Sequence, residues 1–229
     1  SFESEFHGPS SGEKRMIIKE MRCFRLRAEP PFAEGFWEER LVRPIDVYER
    51  FRNEGPWDTG RRDVFEQTFL EIVTDEDERG FFGPISTNVS AIVDQSLKPL
   101  ILGEDPFSVE KIWDIMYRSQ VHGRKGETMM AVSAVDCAIW DLISKVKKEP
   151  VVKLLGGPVQ GKVPAYASML GFSLRPEDVV KRCQEHLEKG FSAMKWFFRH
   201  GPGSGLPGIK KNIELAKTCL LYTSDAADE

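Results

Sequence analysis

The stretch from Glu127 to Pro158, ETMMAVSAVDCAIWDLISKVKKEPVVKLLGGP, constrains the fold more than any other, because it carries a long apolar helix pattern into a glycine stop. Val132, Val135, Ile139, Leu142 and Val146 recur at three- and four-residue steps and so share one helix face. Met129, Ala131, Ala134, Cys137, Ala138 and Ile143 widen that face, as in a helix covered on most sides. Thr128 suits the N-cap, Lys145, Lys147 and Lys148 suit the negative end of the helix dipole, and Pro150 is expected to stop the helix. Two acids interrupt the pattern. Asp136 is expected to bond a neighbouring backbone and Asp141 to lie on the exposed edge, a structural reading that outweighs a catalytic one in so apolar a helix.

The run AVDCAIWDLISK followed by PVVKLLGGP resembles the helix and loop that close the N-terminal domain in the mandelate racemase and muconate lactonizing group of the enolase superfamily. The resemblance extends from about Met16 to Lys217. It implies an α+β capping domain, followed by the first βα units of a (β/α) TIM-type barrel that is incomplete in this chain, with an active site between the two.

With 229 residues, 41% hydrophobic and 30% charged, the composition is that of a globular chain with a sizeable core. A net charge of −4 offers no electrostatic footprint for nucleic acid or an anionic membrane, and no apolar run reaches the ~20 residues that span a bilayer. The four cysteines lack metal-ligand or paired spacing, which leads us to expect reduced, structural thiols in a cytoplasmic protein, with Cys137 buried in the central helix. The chain begins at Ser1 and not Met, which leaves a removed leader open. At the other end CLLYTSDAADE resembles a translated sequencing adapter. We therefore expect 1–15 to be disordered, 16–158 to form the capping domain, 159–218 to supply about two βα units, and 219–229 to be a non-native tail.

Within the cap, Met16–Arg27 and Arg61–Val73 read as strands, and DEDERG turns the second into Gly80–Pro84 as a hairpin. Ser90–Pro99 reads as a short helix ended by Pro99, and Asp105–Arg118 as a stronger one capped by Asp105. Strands first and helices afterwards indicate an α+β layer. Between them, Ala28–Gly60 holds Phe36, Trp37, Tyr48, Phe51 and Trp57 without periodicity. By resemblance this loop folds over the barrel mouth and helps to choose the substrate, with Trp37 as a substrate contact; an insertion packing on its own domain is the equal alternative. The basic loop QVHGRKG is read as solvated. After LLGGP, KVPAYAS, RPEDVVKRCQEHLEK and FSAMKWFF read as strand, helix and strand, a βαβ unit with parallel strands.

Lys195 is the sharpest candidate for chemistry, being the charged residue inside an apolar strand near its C-terminal end, where barrel enzymes place catalytic groups. Burial lowers a lysine pKa and so makes a base or a partner for a carboxylate. Periodicity alone equally allows an edge lysine whose ammonium reaches solvent. The resemblance favours function: this strand commonly carries Lys-x-Lys there, and the chain keeps the first lysine and has Phe197 in place of the second. That disfavours a two-base racemase and points to a Mg²⁺-dependent acid-sugar dehydratase. An epimerase or cycloisomerase, or a noncatalytic binding relative, remains as an alternative. Arg199 and His200 are candidate contacts for a small sugar-acid substrate. By resemblance the Mg²⁺ ligands lie on later barrel strands, so no metal ligand is assigned here, and the full-length protein is expected to be a homo-oligomer. GSGLPG at 203–208 spells a dinucleotide fingerprint, but its surroundings and Pro207 make it a flexible barrel loop in our reading.

Overall fold

The computed structural model describes residues 15–29, 38–55 and 65–223. The disorder expected of 1–15 and the substrate role expected of Trp37 therefore fall almost wholly or wholly outside the described residues. In chain order the elements are β1 (Ile18–Ala28), α1 (Glu49–Arg52), β2 (Phe65–Thr74), β3 (Arg79–Ile85), α2 (Thr87–Ile92), α3 (Lys98–Ile101), α4 (Val109–Ser119), α5 (Glu127–Lys147), α6 (Val151–Leu154), β4 (Ala167–Ser168), α7 (Pro176–Glu188), β5 (Met194–Lys195) and α8 (Gly205–Thr223). The described residues form two compact units that do not follow chain order: 15–28 with 65–160, and 29 and 38–55 with 161–223.

In the first unit the antiparallel sheet runs β1-β2-β3, with Met21 opposite Ile72 and Leu70 opposite Phe82. One face, carrying Met21, Leu70 and Ile72, is fully buried with Val135, Ala138, Ile139 and Leu142 of α5. Each such side chain contributes about 1.5–3 kcal/mol by leaving water. The other face carries Glu71 between Arg22 and Arg79, beside the ring cluster Phe24, Phe69 and Phe81. Helix and strand approach most closely at Gly80. A Cβ there would run into the Ala138 carbonyl and lie 2.7 Å from Leu142 Cβ.

Several helix ends differ from the sequence reading. Helix α5 starts after Gly126 with Thr128 already inside it, and it stops at Lys148, whose φ of 55° is left-handed. The Glu149 amide donates back to the Ser144 carbonyl, a Schellman-type ending, and Pro150 instead caps the short α6. Pro99 does not end its helix. A π-helical turn at Val93–Leu97, in which the Lys98 amide donates to the Val93 carbonyl, widens the backbone before Pro99 and lets the chain stay helical to Ile101. Helix α4 begins at Val109, because the Asp105 carboxylate turns back on the Phe107 amide instead of capping it. Of the two acids in α5 it is Asp141, and not Asp136, that bonds a backbone group: Asp141 accepts from the Phe81 amide at 2.8 Å on the sheet edge, while Asp136 sits half-buried, its carboxyl pushed up by burial and by Glu110. Cys137 is exposed, not buried. It lies on the Met130 and Ser133 face of α5.

The second unit holds the βαβ unit. Strands β4 and β5 pair in parallel, Ala167 with Met194 and Ser168 with Lys195. They are far shorter than the apolar runs around them. Helix α7 packs Val179 and Cys183 against Leu215 of α8, and α8 continues beyond Thr218 with Cys219 against the same cluster. Among the described residues, no helix is long and apolar enough to cross a membrane.

Candidate functional site

Segment 38–54 belongs to the same unit as the opening βαβ, so of the two alternatives for this loop it packs with the second unit and not on the sheet. The amides of Glu38 and Glu39 donate to the Gly171 carbonyl at 2.6 and 3.0 Å, and the Val42 amide donates to Phe198 at 2.8 Å, immediately after β5. The segment leaves Ile45, Val47 and Tyr48 exposed, and a buried ion pair organises it instead. Arg40 and Asp46 are 2% and 4% exposed. Arg40 grips both Asp46 oxygens, at 2.7 and 3.2 Å, and also donates to the Phe51, Arg52 and Glu54 carbonyls. Arg43 adds its backbone amide and guanidinium to Asp46. Burial alone would raise the Asp46 pKa, but the bonds from Arg40 and Arg43 outweigh it and hold the carboxyl at about 2.

Arg199 closes this knot from the end of β5. Its guanidinium donates to Glu39 at 3.0 Å and to the Arg52 and Glu54 carbonyls at 2.7 and 3.2 Å. The residue expected to touch a substrate is thus largely committed to the protein. His200 is half-buried and its carbonyl accepts from Asn212. Burial first, then the nearby cations Lys211 and Arg199, push its imidazole below the ordinary value, with Glu39 opposing, so the neutral ring is favoured.

Two clefts flank this pair. One of about 630 Å³ is lined by Glu38, Ser173, Arg175, Lys211 and Asn212 together with Glu39, Arg199 and His200. The other, of about 420 Å³, adds Arg52, Asn53 and Ser204. A neutral imidazole, the Lys211 ammonium and amide and hydroxyl groups, beside the carboxylates of Glu38, Glu39 and Glu214, make a polar lining of mixed charge that suits a hydroxylated small molecule. Lys195 lines neither cleft. It is exposed, with its ammonium 5.1 Å from the centre of the Tyr166 ring, so the burial expected to perturb it is not found in this chain. Arg199 and His200 are therefore brought together, and Lys195 is not joined to them. Among the described residues no group of three or more His, Cys, Asp or Glu side chains is arranged to hold a metal ion, so these residues do not fit Mg²⁺.

The glycines of GSGLPG are explained by packing. Pro202–Ser204 is a 3-10 turn and Gly205 opens α8, so the segment is ordered helix start and not a flexible loop. A Cβ on Gly203 would lie 2.8 Å from the Asp46 carbonyl and 3.0 Å from Val47 Cα. The close approach that a nucleotide pyrophosphate would need is occupied by segment 38–54. Sequence reading missed Glu38, Glu39, Arg40, Asp46 and Lys211. The one available signal was Asp46 two residues after Pro44, an acid in the first turn of a short 3-10 helix.

Residues 64–156 match the mandelate racemase / muconate lactonizing enzyme N-terminal domain. The chain belongs to that group of the enolase superfamily. A putative L-rhamnonate dehydratase of Caldivirga maquilingensis is 34% identical over 210 residues, 87% of this chain and 49% of that protein. An L-rhamnonate dehydratase of Saccharopolyspora erythraea is 35% identical over 190 residues, 80% of this chain and 44% of that protein. A crystal structure of L-rhamnonate dehydratase from Gibberella zeae matches with a TM-score of 0.68 at 24% identity, over 93% of this chain and 50% of that one. The Mg complex of rhamnonate dehydratase from the same organism also gives 0.68, at 22% identity, over 91% of this chain and 50% of that one. At these identities the structures speak for the fold, an α+β enolase-superfamily cap followed by part of a barrel. The chain spans about half the length of the curated relatives it matches.

Proposed function

We propose that this chain supplies the capping domain and the opening of the barrel of a Mg²⁺-dependent acid-sugar dehydratase. The observation that carries the reading is the 34% and 35% identity to two L-rhamnonate dehydratases across most of the chain. In the proposed reaction a base takes the proton next to the carboxylate, leaving an enediolate; the β-hydroxyl, protonated by an acid of the complete enzyme, departs as water, and the enol formed tautomerises by taking a proton at C3 to the 2-keto-3-deoxy acid. A divalent cation would stabilise that doubly charged enediolate. Its ligands would come from elsewhere in the enzyme, and no step is assigned to it among these residues.

Lys195, at the end of β5, is proposed to place its ammonium by the substrate carboxylate, which restrains negative charge as it builds. His200, favoured in its neutral form, is proposed to accept from or donate to a sugar hydroxyl. With Phe197 where a second lysine would stand, no second base is available on this strand, which supports one-sided elimination over racemisation.

The test is to recover the complete gene and incubate its product with Mg²⁺ and a panel of sugar acids, L-rhamnonate included. A 2-keto-3-deoxy product is expected. Tight binding of a sugar acid with no turnover of any would overturn the dehydratase reading in favour of a binding protein. The 229-residue chain by itself is expected to be inactive.

A further inference from the structure

We infer that Arg199 is a positioning residue, which fastens the cleft wall formed by residues 38–54 to the end of β5. Three observations carry this. The side chain is only 14% exposed, and its bonds reach Glu39 near the beginning of the segment and the Arg52 and Glu54 carbonyls near its end, so one guanidinium ties both ends together. The Arg52 and Glu54 carbonyls are the same two that Arg40 holds, at 3.2 and 2.9 Å. Two guanidiniums thus share two carbonyls, with the Asp46 carboxylate beside both, 2.7 Å from Arg40 and 4.0 Å from Arg199. Finally, the residues held this way are the ones that matter to the clefts: Glu39 lines both, and Arg52 and Asn53 line the smaller one with His200.

The planar fork of an arginine supplies several donors in fixed directions, whereas a lysine ammonium is a single flexible point, so this role separates the two residues sharply. A wall fixed in this way sets the distance between Glu39 and His200, an effect that Arg199 exerts through the protein although its side chain also borders both clefts. The consequence for catalysis rests on the dehydratase reading; the consequence for the wall does not.

The experiment is hydrogen–deuterium exchange on the 229-residue chain, comparing it with Arg199→Ala, Arg199→Lys and, as a control at an exposed cation in the same unit, Lys217→Ala. Arg199→Ala is expected to speed exchange at the Glu38, Glu39 and Val42 amides about tenfold or more, the scale of losing one charge-assisted hydrogen bond. Strands β1–β3 should be unaffected, Arg199→Lys should restore only part of the protection, and Lys217→Ala should change nothing in segment 38–54. Glu39→Gln, which weakens a single bond of the set, gives a milder form of the same local effect should Arg199→Ala fail to fold. Unchanged exchange in 38–54, or full protection in Arg199→Lys, overturns the inference whatever the enzyme does. In the complete enzyme Arg199→Lys should raise KM for the sugar acid several-fold more than it lowers kcat; an equal fall in kcat and kcat/KM would overturn the positioning role. A complete enzyme that turns over no sugar acid defeats the dehydratase reading and leaves the exchange result to decide Arg199.

Discussion

Replacing Asp46 with asparagine tests whether an ion pair, and not an apolar core, holds segment 38–54 together. The carboxyl moves from 3.8 to about 2 on folding. That depression corresponds to about 2 kcal/mol of stability in the ionised form. The sign follows from the direction: with the folded pKa below the unfolded one, the contribution is complete well above pH 3.8 and is lost as pH falls through about 2. About 1 kcal/mol of it should already be gone near pH 3. Asparagine removes the charge at every pH and also leaves Arg40, 2% exposed, without its counter-ion. Breaking a buried pair from one side costs about 3–5 kcal/mol, so a loss between about 2 and 5 kcal/mol is expected at neutral pH. Urea titration of both proteins from neutral pH down to about pH 3 measures it. The variant should be less stable at neutral pH, and the gap should narrow by about 1 kcal/mol on acidification, because only the parent has this carboxylate to lose. A gap under about 1 kcal/mol at neutral pH, or one that does not narrow, would refute the reasoning.

Gly203→Ala places a Cβ 2.8 Å from the Asp46 carbonyl and 3.0 Å from Val47 Cα; because backbone yields poorly, a loss of about 1–3 kcal/mol is expected by urea titration. Lys211→Met removes a cation that depresses the His200 imidazole, so an NMR titration should show its pKa move up toward the ordinary value. The stability His200 contributes, present above its unfolded pKa and lost as pH falls through the folded one, should shrink with it. In the complete enzyme, Lys195→Met should lower kcat by about a hundredfold or more without lowering the thermal midpoint, since the residue is exposed in this chain; a loss of stability with kcat retained would make it structural.

What was legible in the sequence was what apolar spacing records. Val132, Val135, Ile139 and Leu142 of α5 and the Val179 and Cys183 face of α7 are buried as their periods require, with Val146 only partly so, and the hairpin turn and parallel βαβ order follow from ordinary strand and turn signals. The misses lie where backbone or charge decides. Periodicity gives no sign that a π-turn would carry a helix past Pro99, nor that Asp141 and not Asp136 would reach a strand amide. Arg40 and Asp46 lie in a stretch with no hydrophobic period, and their partners Arg52, Glu54 and Arg199 are brought to them only by the fold. Cys137 belongs to an apolar pattern yet faces outward, because a helix apolar on all sides does not announce which side its own chain will cover.

The interleaving of the two units has a consequence for recombination. Residues 38–55 are encoded inside the cap, between β1 and β2, yet cluster with residues 161–223. Exchanging caps between relatives at Gln160 would keep the sheet and α5 intact while setting a foreign residue 39 before the resident Arg199, the carbonyls at 52 and 54 being backbone that any residue supplies. Such chimaeras should fold their cap and keep this wall only where the donor supplies an acid at position 39 or position 199 is exchanged with it. The heritable cassette that shapes this cleft is thus an insertion plus one distant arginine, and not either domain alone.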